Sequence, residues 1–137
     1  MRKIFFYSLI IFFITNISKA NTFRWTKGSE TFDGNTVFYY DKKTIYHIGS
    51  YKFFWQLVDY RKDYDEDKSL IAFTMVDCEI YNLRWISYTG YSEHMGNGKV
   101  TIEYIVPEVD PNYFEWQYFN PENTAQGAVM KKVCKSR

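Results

Sequence analysis

The sequence predicts an α+β domain, mainly β. The expected core is an antiparallel sheet of about six strands, with one C-terminal helix tethered to a face of the sheet by a disulfide. Three observations carry that expectation. Aromatic residues make up 21% of the chain, with 13 Tyr and 12 Phe, and such rings favour the pleated, half-buried surface of a sheet. Apolar side chains alternate through the middle of the chain, then recur at spacings of three and four near its end. That is the change from strand to helix periodicity. Finally, the chain holds two cysteines, Cys78 and Cys134, behind a segment that reads as an export signal.

That segment comes first. Arg2 and Lys3 are basic, residues 4–14 are apolar, and Ser18-Lys19-Ala20 ends a polar stretch with small side chains where signal peptidase reads. Residues 1–20 are therefore a predicted signal peptide, cleaved between Ala20 and Asn21, and residues 21–137 a single domain. The apolar run is too short for a bilayer core that needs roughly 20 residues. No cysteine follows it, so no lipid anchor is expected. The destination is the periplasm, the cell surface or the medium, where thiols oxidise. Two cysteines there pair more often than they stay free, so Cys78 and Cys134 are expected to form one disulfide. The leader holds Arg2, Lys3 and Lys19 of the 17 basic residues and none of the 16 acidic ones, which leaves 14 basic against 16 acidic. A weakly acidic domain has no electrostatic reason to seek nucleic acid or anionic lipid.

The strands follow in order. Residues 22–27 alternate, with Phe23 and Trp25 on one face and Arg24 on the other. Asp33-Gly34-Asn35 is a turn. Residues 36–40 and 44–48 are short strands, separated by Asp41-Lys42-Lys43 and closed by Gly49-Ser50. Residues 51–60 form the longest strand, with Phe53, Trp55 and Leu57 on one face and Phe54, Gln56 and Val58 on the other. A charged loop over residues 59–68 leads to strands at 70–78 and 80–89. Residues 90–98, with three glycines, read as a loop. Residues 99–106 alternate cleanly, Pro107 to Pro111 end that strand, and residues 114–119 make a short last one. The helix is expected from Pro121 to Cys134, with Asn120 as its cap and proline at its first position. Lys131, Lys132 and Lys135 sit where the helix dipole favours cations. Cys134 would then staple the helix to the sheet at Cys78, closing a loop of about 57 residues, a constraint of about 4 kcal/mol.

Chemistry is sparse. Asp63-Tyr64-Asp65-Glu66-Asp67 has the alternating carboxylates of a calcium loop, but Lys68 stands where glycine is needed and Thr74 where a bidentate Glu is needed. It reads as a solvated charged loop, and no metal site is expected. His47 reads as an ordinary strand histidine. His94 beside Glu93 could move protons, yet any surface loop offers such a pair. Gly96-Asn97-Gly98-Lys99 lacks the glycine spacing of a phosphate loop and precedes a strand. No catalytic residue and no cofactor is assigned, so an enzyme is not expected. Tyr39, Tyr60, Tyr64, Tyr88, Tyr91 and Tyr113 lie at strand ends or in loops, where ordinary rim packing competes with a binding face rich in Tyr and Arg. Tyr60-Arg61, Tyr64 and the stretch from Tyr88 through Tyr91 to His94 form the candidate binding surface.

The order of landmarks resembles a known family. Trp25, Tyr40-Asp41, Thr44-Ile45, Gly49 and Trp55-Gln56-Leu57-Val58-Asp59 come first. Ser69, Asp77-Cys78, Arg84, Met95-Gly96-Asn97-Gly98, Trp116, Asn120-Pro121 and Val133-Cys134 follow. Together they are similar to the surface-adhesin protein E-like domain family of exported proteins in Gram-negative bacteria. The resemblance implies an antiparallel sheet with a C-terminal helix held on one face by a disulfide, here Cys78–Cys134, and it implies dimers. It also implies a protein partner, either host extracellular matrix or an envelope protein. Two functions stand against each other: an exported, non-enzymatic, adhesin-like binding domain, and a soluble periplasmic envelope or stress-response protein, for instance an inhibitor of a wall-degrading enzyme. Neither reading is an enzyme. A hydrolase using His94 is the third and weakest reading.

Overall fold

The computed structural model describes residues 23–61, 67–105 and 116–137. The predicted signal peptide with its Ala20–Asn21 cleavage point, Tyr64 and most of the acidic loop, Tyr113, and the proline-broken segment after the seventh strand lie outside those residues.

One antiparallel sheet runs in the order β1 (Trp25–Glu30), β2 (Thr36–Asp41), β4 (Tyr51–Tyr60), β5 (Ser69–Asp77), β6 (Asn82–Tyr91) and β7 (Val100–Ile105). The expected sheet of about six strands is present, and each strand lies within or near a segment read as a strand in the sequence. Two short ones bring the total to eight. β3 (Tyr46–Ile48) shares an edge of β4 with β2, and β8 (Gln117–Tyr118) shares an edge of β6 with β7. Several boundaries move from their expected places. Lys42–Thr44 is a 3-10 turn, because the Asp41 carboxylate accepts from the Lys43 N–H at 3.0 Å and caps it. The strand expected from residue 44 therefore begins at Tyr46. Gly90 lies inside β6, where it pairs with Leu70 and Ile102. A Cβ there would meet Ile102 Cγ2 at 2.8 Å, so its glycine serves close strand packing.

The helix α1 runs Ala125–Lys135, starting later than Pro121. The Thr124 hydroxyl accepts from the Gly127 N–H at 3.0 Å and is the N-cap. Asn120-Pro121 instead begins a turn, in which Asn120 Oδ1 accepts from the Glu122 N–H and Asn120 O from the Thr124 N–H. Gly127 packs directly against that turn, because a Cβ there would collide with the carbonyl of Asn120.

α1 lies on the face of the sheet that carries Tyr40, Phe54, Val76 and Leu83. Val129, Met130 and Val133 seal a core there with no solvent exposure. Fully burying each such side chain is worth about 1.5–3 kcal/mol. Polar contacts fix the helix at both ends and in between. Gln56 and Gln126 exchange two buried side-chain hydrogen bonds, at 3.3 and 3.0 Å. The Ser29 hydroxyl donates to Ala125 O at 2.6 Å. Lys52, on β4, reaches the helix C-terminus and donates to the carbonyls of Val133, Cys134 and Ser136. A sheet lysine thus satisfies carbonyls that a helix end leaves open. The disulfide joins Cys78, just after β5, to Cys134 in the last turn of α1, with Cα atoms 5.7 Å apart. The expected tether is present.

Candidate functional site

Among the described residues no α-helix lies over the opposite face of the sheet. Strand register decides what stands there, because residues paired across an antiparallel ladder share a face. Trp55 pairs with Phe73 and Phe53 with Met75. Tyr46 pairs with Phe53 from β3. Trp25 pairs with Asp41 on the same side. Phe23, just before β1, completes the set by stacking on Trp25 at 4.8 Å and tilting against Trp55 at 5.3 Å. The rings then continue from Trp55 to Phe73 at 5.1 Å, to Phe53 at 6.0 Å and to Tyr46 at 4.9 Å, the last pair stacked nearly parallel at 8°. Stacked and tilted pairs of this kind each add about 0.5–1.5 kcal/mol beyond burial. None of the six rings is fully buried, and Tyr46 is 47% exposed.

The face continues past Ile48 and Tyr51, both exposed. Tyr51 stacks on Trp116 at 5.9 Å, and the Arg84 guanidinium lies 5.7 Å above the Trp116 ring. Arg84 Nε is buried and has no hydrogen-bond partner among the described residues. A cation held over a ring closes this end of the surface. The two entry points of the aromatic surface are pinned by one buried carboxylate. Asp41 accepts from the Arg24 N–H at 3.3 Å and from the Lys43 N–H, which sets both the approach of Phe23 to β1 and the turn before Tyr46. The hydroxyl of Thr44, at the end of that turn, accepts from the Trp55 N–H at 3.3 Å, in the gap that β2 and β3 leave along β4.

At its other end the same face is covered. The connection between β6 and β7, residues 92–99, folds over Leu57 and Ile71, both buried. Gly96 lies so close that a Cβ would meet Ile71 Cδ1 at 2.8 Å and Leu57 Cδ1 at 3.5 Å. Buried Asp59 accepts from the Met95 N–H at 3.0 Å and contacts His94 Nδ1 at 3.2 Å. The Ser69 hydroxyl donates to Glu93 O at 2.6 Å and accepts from the Gly96 N–H at 2.9 Å. Met95 holds a left-handed conformation, φ 58°, one that costs a non-glycine residue free energy and persists where surrounding contacts dictate it.

The candidate residues singled out in the sequence divide between the two faces. Tyr60 and Tyr88 stand on the helix side, packed on a small cluster of Val58, Leu70 and Ala72. Burial raises the Tyr60 phenol above its usual range, with the Asp67 carboxylate adding to the effect. Tyr91 pairs with Ser69 on the other face, near His94 over Asp59. Arg61 lies at the β1–β2 end, 3.6 Å from Glu30. Tyr64 is outside the described residues. His47 is exposed in β3 and lines a groove beside the disulfide with Lys52, Glu79 and Ser136. Among the described residues no three His, Cys, Asp or Glu side chains are grouped to hold a metal, and no helix is long and apolar enough to cross a membrane. The aromatic surface itself was half legible: Phe53 and Trp55 share a face by alternation, but Phe23, Tyr46 and Phe73 join them only through strand pairing.

Residues 25–135 match the sequence profile of the family described as Surface-adhesin protein E. No curated protein matches the chain in sequence. Among solved structures the chain is similar to protein E of Haemophilus influenzae. In crystal form II of that protein the TM-score is 0.55 at 16% identity, covering 82% of this chain and 90% of the other. In a second structure of it the TM-score is again 0.55 at 16% identity, covering 82% and 86%. Its selenomethionine form gives 0.54 at 18% identity, covering 82% and 88%. At such identities the likeness is one of fold.

Proposed function

The chain belongs to the surface-adhesin protein E family, and from that premise we propose that it is an exported, non-enzymatic binding module that takes a protein partner on its helix-free aromatic face. One observation carries the proposal. Six rings from four strands and the segment before β1 touch one another there, and none is packed away. On the helix side, side chains such as Phe54 and Val76 reach zero exposure. Folding alone gives no reason to gather large rings on an open face, whereas extended apolar patches on monomers mark interaction sites. Trp, Tyr and Arg are the residue types that dominate binding energy at interfaces, and Arg84 over Trp116 adds a cation for an acidic group of the partner.

The test uses the exported domain, purified and immobilised, against a panel of matrix proteins and a membrane and periplasmic extract. For a partner retained by the native domain, Trp55→Ala and Tyr46→Ala are expected to weaken binding by more than about tenfold, the scale of a hot-spot residue. Tyr60→Ala, Arg61→Ala, Tyr88→Ala and Tyr91→Ala probe the rim as the competing surface. Unchanged binding by both face variants, with loss in the rim variants, would move the site to the rim. Cell fractionation separates the two cellular settings: surface or medium for adhesion, soluble periplasm for an envelope role.

A further inference from the structure

The bridge that tethers the helix is open to solvent from one side. A groove of about 400 Å³ lies beside it, and Cys78 forms part of the groove wall while Cys134 does not. Neither cysteine is fully buried. The turn between β3 and β4 makes the rim. There Ser50 O accepts from the Cys78 N–H at 3.3 Å, and a Cβ on Gly49 would meet nothing within 4 Å. Exposed Glu79 and Arg137 complete the walls, with Lys52 between them and the sheet. The volume falls in the range of sites that take a small molecule, roughly 300–1,000 Å³.

We propose that Cys78 is a thiol–disulfide exchange site of the folded protein, at which a low-molecular-weight thiol enters the groove and forms a mixed disulfide. The incoming thiolate attacks Cys78 Sγ. A new S–S bond forms there, the bond to Cys134 breaks, and its electron pair leaves on Cys134 Sγ, which takes a proton from solvent. The small thiol is oxidised and Cys134 is reduced, so nothing else is consumed. Which sulfur is attacked depends on access and on how well the other one leaves, and both favour this direction. Access is through the wall that Cys78 supplies. The leaving thiolate appears in the last turn of α1, where the helix carries roughly half a negative charge. Lys52 offsets it, with its ammonium 3.2 Å from Val133 O and 3.1 Å from Cys134 O, and a neighbouring cation favours a thiolate. The helix does not depend on the bridge alone. Val129, Met130 and Val133 stay buried and the Gln56–Gln126 bonds remain, so exchange unties the last turn and leaves the rest seated. The groove lies on the helix side, apart from the aromatic face, and each reading can fail alone.

The experiment incubates the purified exported protein with glutathione. Samples are quenched in acid, and mass spectrometry of peptides locates the adduct and the free thiol. The adduct is expected on Cys78, with Cys134 free. The rate of opening should be flat in urea below the unfolding transition, because the groove belongs to the folded molecule. Two exposed groove positions test the route of entry. Ser50→Trp and Glu79→Trp, which narrow the groove, should each slow opening by about fivefold or more through lost access, while the same variants unfolded in urea react with glutathione as the native sequence does. Trp55→Ala should change none of this. Three results overturn the proposal: a first adduct on Cys134, an unchanged rate in both groove variants, or a rate that climbs with urea in step with global unfolding, which would mean that thiols meet the bridge only in unfolded protein.

Discussion

The Gln56–Gln126 pair permits a sharp test of how the helix is held. The two amides are 0% and 6% exposed and satisfy each other through two hydrogen bonds. Gln56→Leu leaves a donor and an acceptor of Gln126 buried without partners, and Gln126→Leu does the same to Gln56. An orphaned buried polar group costs about 1–3 kcal/mol, so each single variant should lose about 2–3 kcal/mol. Replacing both removes the orphans together with the bonds. The double variant should then be no less stable than either single one, which corresponds to a coupling of about 2–3 kcal/mol between the positions. Equilibrium urea unfolding measures this. With m of about 2 kcal/mol/M, each single variant should shift the midpoint by about 1 M. Additive losses in the double variant would refute the reasoning, because they would mean that each glutamine acts through packing alone.

Three further predictions follow from other contacts. Replacing both cysteines by alanine removes a constraint on a loop with a sequence separation of 56, worth about 4 kcal/mol by chain entropy and about 15 °C in Tm for a chain of this size. Hydrogen exchange should rise first in the last turn of α1, and equal protection with and without the bridge would count against the tether. Asp59→Ala strands the Met95 N–H and releases His94, at a cost of about 2 kcal/mol. Limited proteolysis should then cut within residues 92–99 faster than in the native protein, and an unchanged rate would show that Ser69 alone holds the loop. Tyr60 binds its proton more tightly in the fold than in the unfolded chain, because burial raises its phenol above 10.0. Its contribution is complete below that pH and is lost as pH rises through the folded value. Tyr60→Phe should flatten the alkaline fall in stability, measured as urea midpoint against pH.

Much of the fold was written in local pattern. The alternation of residues 51–60 assigned Phe54, Gln56 and Val58 to one side and Phe53, Trp55 and Leu57 to the other, and the structure keeps that division. The helix and its cysteine showed in the spacing of Ala128, Val129, Val133 and Cys134. Its start was misplaced because Asn120-Pro121 and Thr124 both carry start signals. The choice falls to Thr124, whose hydroxyl reaches the Gly127 N–H while Asn120 is occupied by its own turn. Gly90 read as loop because a glycine needed for strand contact looks the same in sequence as one needed for a turn. The aromatic face is the larger gap. Tyr46, Phe53 and Phe73 come from three separate segments brought together by the pairing of β3 and β5 on either side of β4, and Phe23 joins through its contacts with Trp25 and Trp55. The landmarks Asp59, Ser69, Met95 and Gly96 found a common physical cause: together they clamp one loop on Leu57 and Ile71.

The position of the bridge also sets where a pulling force travels. Anything that tugs on Arg137 meets Cys134 three residues earlier and crosses there to Cys78, just after β5. The nine residues of α1 before Cys134 are spared tension. Load enters instead at a strand flanked by β4 and β6, where many backbone bonds share it. The helix can stay seated on Phe54 and Val76 while the molecule is stretched, and the first element to yield under tension should belong to the sheet.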